Sequence, residues 1–196
     1  MKRILLFVFT ACITIAGTAQ VQFGVKAGVN IANLTLSIPP SGYSLSSKTD
    51  FNGGAFALVP LITSCFLQPE ILFSGQGASA TVSGSSGKLN YDYLNVPVLF
   101  KYQHVSGLFA ETGPQVGFLL SANEKANGQT IDAKDATQSV DFSWAFGMGY
   151  KFSEMGLGID ARYNLGLTNL SKNNGSSNGT AKNSVFQFGL FYIFGN

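Results

Sequence analysis

Eight charged residues hold whatever chemistry this chain can offer: Lys26, Glu70, Lys101, Glu111, Asp141, Lys151, Asp160 and Arg162. Each falls in a stretch where apolar and polar residues alternate, and each falls on the polar side. Four are positive and four negative. Such a set can line a narrow ion path, contact a ligand, or pair into a neutral plug whose charges answer one another. Catalysis is poorly served. His104 is the only histidine, it falls in a short connection away from the long loops, and a Ser-His-Asp arrangement needs its base beside the nucleophile. It reads as a solvated turn residue. No His/Cys cluster offers a transition-metal site. Asp132 and Asp135 form an acidic pair in a polar loop, more simply solvated than calcium-binding. No cofactor is expected.

The elements that position these charges are strands. Period-2 alternation recurs along the chain. In Val21 to Asn30, Val21, Phe23, Val25, Ala27 and Val29 share one face. Val140 to Phe152 alternates Phe142, Trp144, Phe146, Met148 and Tyr150 with Asp141, Ser143, Ala145, Gly147 and Gly149. Gly156 to Leu167 sets Leu157, Ile159, Tyr163 and Leu165 against Asp160, Arg162 and Asn164. Ser184 to Phe194 carries Phe186, Phe188, Leu190, Tyr192 and Phe194 on one face, with Gln187 and Gly189 on the other. Further strands are expected over Phe51 to Leu61, Cys65 to Gln76, Leu89 to Tyr102 and Leu108 to Leu120, eight in all. Glycine pairs such as Gly147 and Gly149 lie inside a strand with no helix following. They are room in a narrow barrel rather than a phosphate loop.

Composition gives the solvent. Charged residues make up 11% of the chain, with 23 glycines and 17 phenylalanines. Soluble domains carry about 25% charge. Beyond the N-terminus no apolar run reaches the roughly 18 residues of a membrane helix. Low charge, abundant glycine and aromatics, and strand periodicity point to β-structure in a membrane. The expected connections alternate in length. Residues 31–50, 77–88, 121–139 and 168–183 are long, and 62–64, 103–107 and 153–155 are short, as in outer-membrane barrels with long extracellular loops and short periplasmic turns. Tyr102, Tyr150, Phe152, Tyr192 and Phe194 then form a periplasmic aromatic girdle, and Phe73, Phe118, Trp144 and Phe186 an outer one. Pro60, Pro69, Pro97 and Pro114 fall inside expected strands, where proline cannot donate to a ladder. Bulges or strand ends would accommodate them.

Residues 1–19 read as a cleaved signal peptide: Lys2 and Arg3, then an apolar run from Ile4 to Ala16, then the small residues Gly17, Thr18 and Ala19. Cys12 makes a weak lipidation signal. Residues 20–196 form one barrel domain, whose remaining ten basic residues balance ten acidic ones. No basic patch serves nucleic acid. The lone mature Cys65 allows no intrachain disulfide.

Particular segments carry a resemblance: Tyr93-Leu94-Asn95-Val96-Pro97-Val98-Leu99-Phe100-Lys101-Tyr102, Phe23 to Asn30, Leu67-Gln68-Pro69-Glu70-Ile71-Leu72-Phe73, Ser74 to Gly77, and Glu111-Thr112-Gly113-Pro114. Together they resemble the PorT-like outer-membrane β-barrel proteins of the Bacteroidota, often labelled "porin family". The resemblance spans essentially the whole mature chain and implies no catalytic residues.

The expectation is therefore an all-β, eight-stranded antiparallel up-and-down transmembrane β-barrel in the outer membrane of a Gram-negative bacterium, with both termini periplasmic. Its first partner is outer-membrane lipid, and an extracellular or periplasmic protein partner is left open. The eight charges point inward. An eight-stranded interior is just wide enough to be filled by side chains, which favours a plug over a pore. The leading function is non-enzymatic, in envelope structure or extracellular-loop contacts, with Ile38-Pro39-Pro40 and Tyr43 in the first long loop as a candidate surface. The alternatives are a small ion or solute pore, or a transport- or secretion-associated component; a soluble exported barrel of lipocalin type; and, last, an outer-membrane enzyme.

Overall fold

The computed structural model describes residues 20–37, 43–82, 85–126, 129–152, 155–171 and 180–195. The signal peptide expected over residues 1–19 lies outside them, as do Ile38 to Pro40 and most of the polar run near residue 175. Nine strands follow in order: β1 (Gln22–Leu36), β2 (Tyr43–Ile62), β3 (Cys65–Val82), β4 (Ser85–Gln103), β5 (Leu108–Ala126), β6 (Gln129–Asp132), β7 (Val140–Lys151), β8 (Leu157–Gly166) and β9 (Ala181–Ile193). All ladders are antiparallel, and chain neighbours pair except that β5, not β6, pairs with β7. β1 also pairs with β9 and β4 with β5, so eight strands close into a ring, while the short β6 is appended to the far end of β5.

Closure carries a stagger. From Lys26, paired positions run through Gly54, Leu72 and Asn95 to Gly117 in one direction, and through Phe191, Gly158 and Lys151 to Gly107 in the other. The two paths reach β5 ten residues apart, at positions 107 and 117, so the strands are steeply tilted against the barrel axis. The tilt brings residues distant in sequence to a common level.

The outer face is the one the alternation predicts. Phe146, Met148, Phe188 and Leu190 are all exposed, with Leu190 at 65%. A soluble barrel of lipocalin type would turn this face inward, so that alternative falls. The rings group at two levels. Tyr150 with Phe152, and Tyr192 with Phe194, make edge contacts at the end bearing the short turns. Phe51 stacks on Phe73, and Tyr163 packs at a tilt against Phe186, toward the other end. Trp144 donates its indole N–H to Thr112 Oγ1 at 2.8 Å, which satisfies a polar group that would otherwise face hydrocarbon.

Three of the expected long loops are largely strand. β1 runs on to Leu36, β2 begins at Tyr43, β3 and β4 meet across residues 83–84, and β5 reaches Ala126. Past the apolar belt the outer face is wet, so exposed positions such as Asn33, Thr35, Ser46 and Ser47 are polar and the apolar outward stripe ends. The backbone ladder continues regardless, because it is held by N–H and C=O groups rather than by side chains. The short turns over 62–64 and 103–107 stand as expected, and the one over 153–155 lies partly outside the described residues. In one, the His104 carbonyl accepts the Gly107 N–H at 2.9 Å, and Gly107 has φ +96, where a Cβ would lie 2.3 Å from the Lys151 carbonyl oxygen.

The prolines are absorbed mostly without bulges. Pro69, Pro97 and Pro114 lie on adjacent strands. The paired positions pass from Pro69–Val98 to Leu72–Asn95, and from Pro97–Gln115 to Phe100–Thr112, with the register unchanged on either side. The ladder lapses locally, and the missing donors share one patch of wall. Only Pro60, near the end of β2, adjoins a register shift.

The depth of the apolar belt is testable. Phe188→Arg, in mid-belt, should lower the unfolding free energy in lipid vesicles by about 2–4 kcal/mol. Ser46→Arg, on the strand extension, should change it by less than about 0.5 kcal/mol. Equal effects would mean that the belt lies elsewhere.

Candidate functional site in the barrel lumen

The lumen is filled in four bands along the axis. At the turn end, Phe56, Leu58, Phe109, Phe191 and Ile193 form an apolar cluster with Phe66 packed against it. Charged residues lie against this cluster. Next comes a band of amides and hydroxyls, including Asn30, Asn52, Ser74, Gln115, Ser143 and Gln187, all buried. Leu34, Ala78, Tyr91, Tyr93, Leu119, Ala122 and Leu170 cap the loop end.

Arg162 organises the charged band. It stands on β8 between the outward-facing Ala161 and Tyr163, so its side chain enters the lumen. Its guanidinium donates from Nη1 to Glu70 Oε2 at 2.9 Å and from Nη2 to Glu70 Oε1 at 2.8 Å, a two-pronged grip. Its Nε and Nη2 both reach Glu111 Oε1, at 3.0 and 2.5 Å. The side chains of Arg162 and Glu70 are wholly buried. Lys101 lies 3.8 Å from Glu111 Oε2, and its ammonium sits 3.5 Å from the centre of the Phe109 ring, where the ring face attracts a cation. Gln68 joins these groups. It accepts from Lys101 Nζ at 3.1 Å and donates to Glu70 at 2.5 Å. Lys26 and Asp160 pair at 2.7 Å. Two glycines make the space. A Cβ on Gly147 would fall 2.9 Å from Glu111 Cγ, and one on Gly189 would fall 2.7 Å from Asp160 Oδ1.

Six of the eight expected residues therefore meet: Lys26, Lys101 and Arg162 with Glu70, Glu111 and Asp160. Their formal charges cancel. Lys151 stands apart at the turn-end rim, half-buried, and Asp141 lies in the amide band on the far side. Gln68, Phe109 and Phe191 also belong to the site, although the charge-based reading of the sequence passed over them. Strand parity could have found them, since Gln68 is in phase with Glu70, Phe109 with Glu111, and Phe191 with Gly189.

This arrangement suits mutual neutralisation better than chemistry. Each of the three carboxylates in the cluster is held by a cation. His104 is exposed and bonds Ser106 within its own turn at 2.9 Å. Among the described residues, no three His, Cys, Asp or Glu side chains are grouped to hold a metal.

A closed antiparallel ring with an apolar, aromatic-banded exterior and a polar lumen defines a transmembrane β-barrel. A model of the outer membrane protein β-barrel domain matches residues 16–172. The chain belongs to this family, which places it in the outer membrane of a Gram-negative bacterium. Two solved structures share the fold. Neisserial surface protein A is 13% identical with a TM-score of 0.54, covering 88% of this chain and 97% of its own. Ail, the attachment invasion locus protein of Yersinia pestis, is 17% identical with a TM-score of 0.50, covering 88% and 98%. A sequence comparison with curated proteins returns no match.

Removing one partner of the buried cluster should cost more than removing both. Arg162→Met should destabilise the refolded barrel by about 3–5 kcal/mol, because it leaves two buried carboxylates without a cation. Adding Glu70→Gln and Glu111→Gln to Arg162→Met should recover part of that loss. Denaturant unfolding in detergent reads both. A triple variant less stable than the single one would contradict mutual neutralisation.

Proposed function

We propose that this protein is a non-enzymatic outer-membrane barrel with a closed lumen, acting at the cell surface through the strands that extend past the membrane. The filling of the lumen carries this reading. An apolar cluster at one end, a neutral ion-pair cluster beside it and an apolar cap at the other, among the described residues, support a lumen closed by its own side chains. The six clustered charges serve as a structural plug, and Lys151 and Asp141 lie outside it. The motifs around Pro97 and Pro69 support placement in the PorT-like branch.

The short turns and both ends of the described chain share one end of the barrel, and in this reading that end is periplasmic. The opposite end bears the extensions of β1 to β5 together with β6. There Ile131 is 58% exposed beside polar side chains. Such a raised, mixed polar and apolar surface suits contact with a partner protein or a neighbouring envelope component.

Two measurements test this. In planar bilayers the refolded protein should be electrically silent. Discrete, ion-selective steps altered by Lys101→Met or Glu111→Gln would instead make it a pore. On intact cells carrying Cys65→Ser, a membrane-impermeant maleimide should label Ser46→Cys and spare Ser106→Cys. The reverse pattern would invert the orientation.

A further inference from the structure

We propose that the amide band of the lumen binds a monovalent alkali cation, of the sodium or potassium class, with Asp141 as its one anionic ligand. This goes beyond the surface role and does not depend on it.

Charge balance comes first. The three cations of the charged cluster are matched by three carboxylates, so nothing there is left to neutralise Asp141. Asp141 is 7% exposed. The Thr168 side chain lies beside its carboxylate, yet Oδ1 is buried with no hydrogen-bond partner among the described residues. Lys151 lies at the opposite end of the same strand. A buried carboxylate without a counter-charge carries a desolvation cost of several kcal/mol, and an internal counterion removes it.

The surroundings supply the remaining ligands. Tyr93 Oη and Gln115 Oε1 are likewise buried without partners. Their strands place them around Asp141. Asn95, Gly117 and Asp141 form one paired row across β4, β5 and β7. A Cβ on Gly117 would meet Asn95 Oδ1 at 2.7 Å and Tyr93 Cδ1 at 3.3 Å, so both side chains lean across β5 toward β7. Gln115 faces Ser143 one step along the same face, donating to its hydroxyl at 3.0 Å and leaving Oε1 free to coordinate. Buried polar atoms are almost always satisfied by protein, water or an ion, and Tyr93 Oη and Gln115 Oε1 flank the Asp141 carboxylate.

The donor set selects the ion. All the donors are hard oxygens, which exclude soft metals. One negative charge among neutral oxygens is balanced by one positive charge. A divalent ion would leave a net charge in the low-dielectric interior.

The test uses the mature protein refolded in detergent. In sodium or potassium chloride it should melt roughly 3–8 °C higher than in choline chloride of equal ionic strength. Asp141→Asn should melt at one temperature in all three. Crystals of the unmodified protein soaked in rubidium chloride should show anomalous scattering in contact with Asp141 Oδ1, which decides the matter even if the variant does not fold. Equal melting in choline, a cation effect retained by Asp141→Asn, or water alone at Asp141 in the rubidium-soaked crystals would overturn the proposal.

Discussion

Every backbone N–H and C=O that enters hydrocarbon must find a partner within the protein, since lipid offers none and each unmet group costs several kcal/mol. The rest of this molecule follows from that demand. A sheet meets it only by closing, and the β1–β9 and β4–β5 pairings remove the two edges an open sheet would expose. Closure sets the strand tilt, and the tilt decides which residues share a level. Among the described residues the one unclosed strand, β6, lies past the belt, where water can satisfy its free edge.

Closure also forces half of each strand into a space one or two side chains wide. Bulky rings can be used inside only where the facing wall lacks side chains. Thus Gly24 faces Phe56, Gly149 faces Phe109, and Gly158 faces Phe191. Charges can be used only where they cancel. Arg162 is the centre of that cancellation because a guanidinium can hold two carboxylates at once in a planar fork. The cluster adds little net stability over a well-packed apolar filling. Its main physical effect is to penalise any register that separates its members. A one-residue slip of β8 would turn Arg162 toward lipid and leave Glu70 and Glu111 uncompensated.

Ladder and lumen differ in how they tolerate defects. The ladder accepts three prolines on neighbouring strands, because the lost bonds fall together and the register is held above and below them. The lumen accepts orphaned amide atoms in its middle band, and these are polar groups that can be met by something small and polar. The apolar clusters at either end contain no such atoms apart from the Tyr93 hydroxyl, which borders the band.

The inward and outward sets were legible in the sequence wherever one face had to meet lipid. Phe186, Phe188, Leu190, Tyr192 and Phe194 announce their face because hydrocarbon tolerates nothing else, and Lys26, Asp160 and Arg162 announce the opposite face for the same reason. That pattern by itself determined the barrel, its strand count and the inward placement of the charges. Past the belt the constraint vanishes, which is why the strand in residues 31–36, 43–50 and 121–126 was read as loop. Tertiary structure alone decided which charges meet. Glu70 and Arg162 lie 92 residues apart, and no local pattern encodes a stagger that accumulates around a closed ring. The same stagger separates Asp141 from the cations, a fact invisible in a sequence where all eight charges look alike.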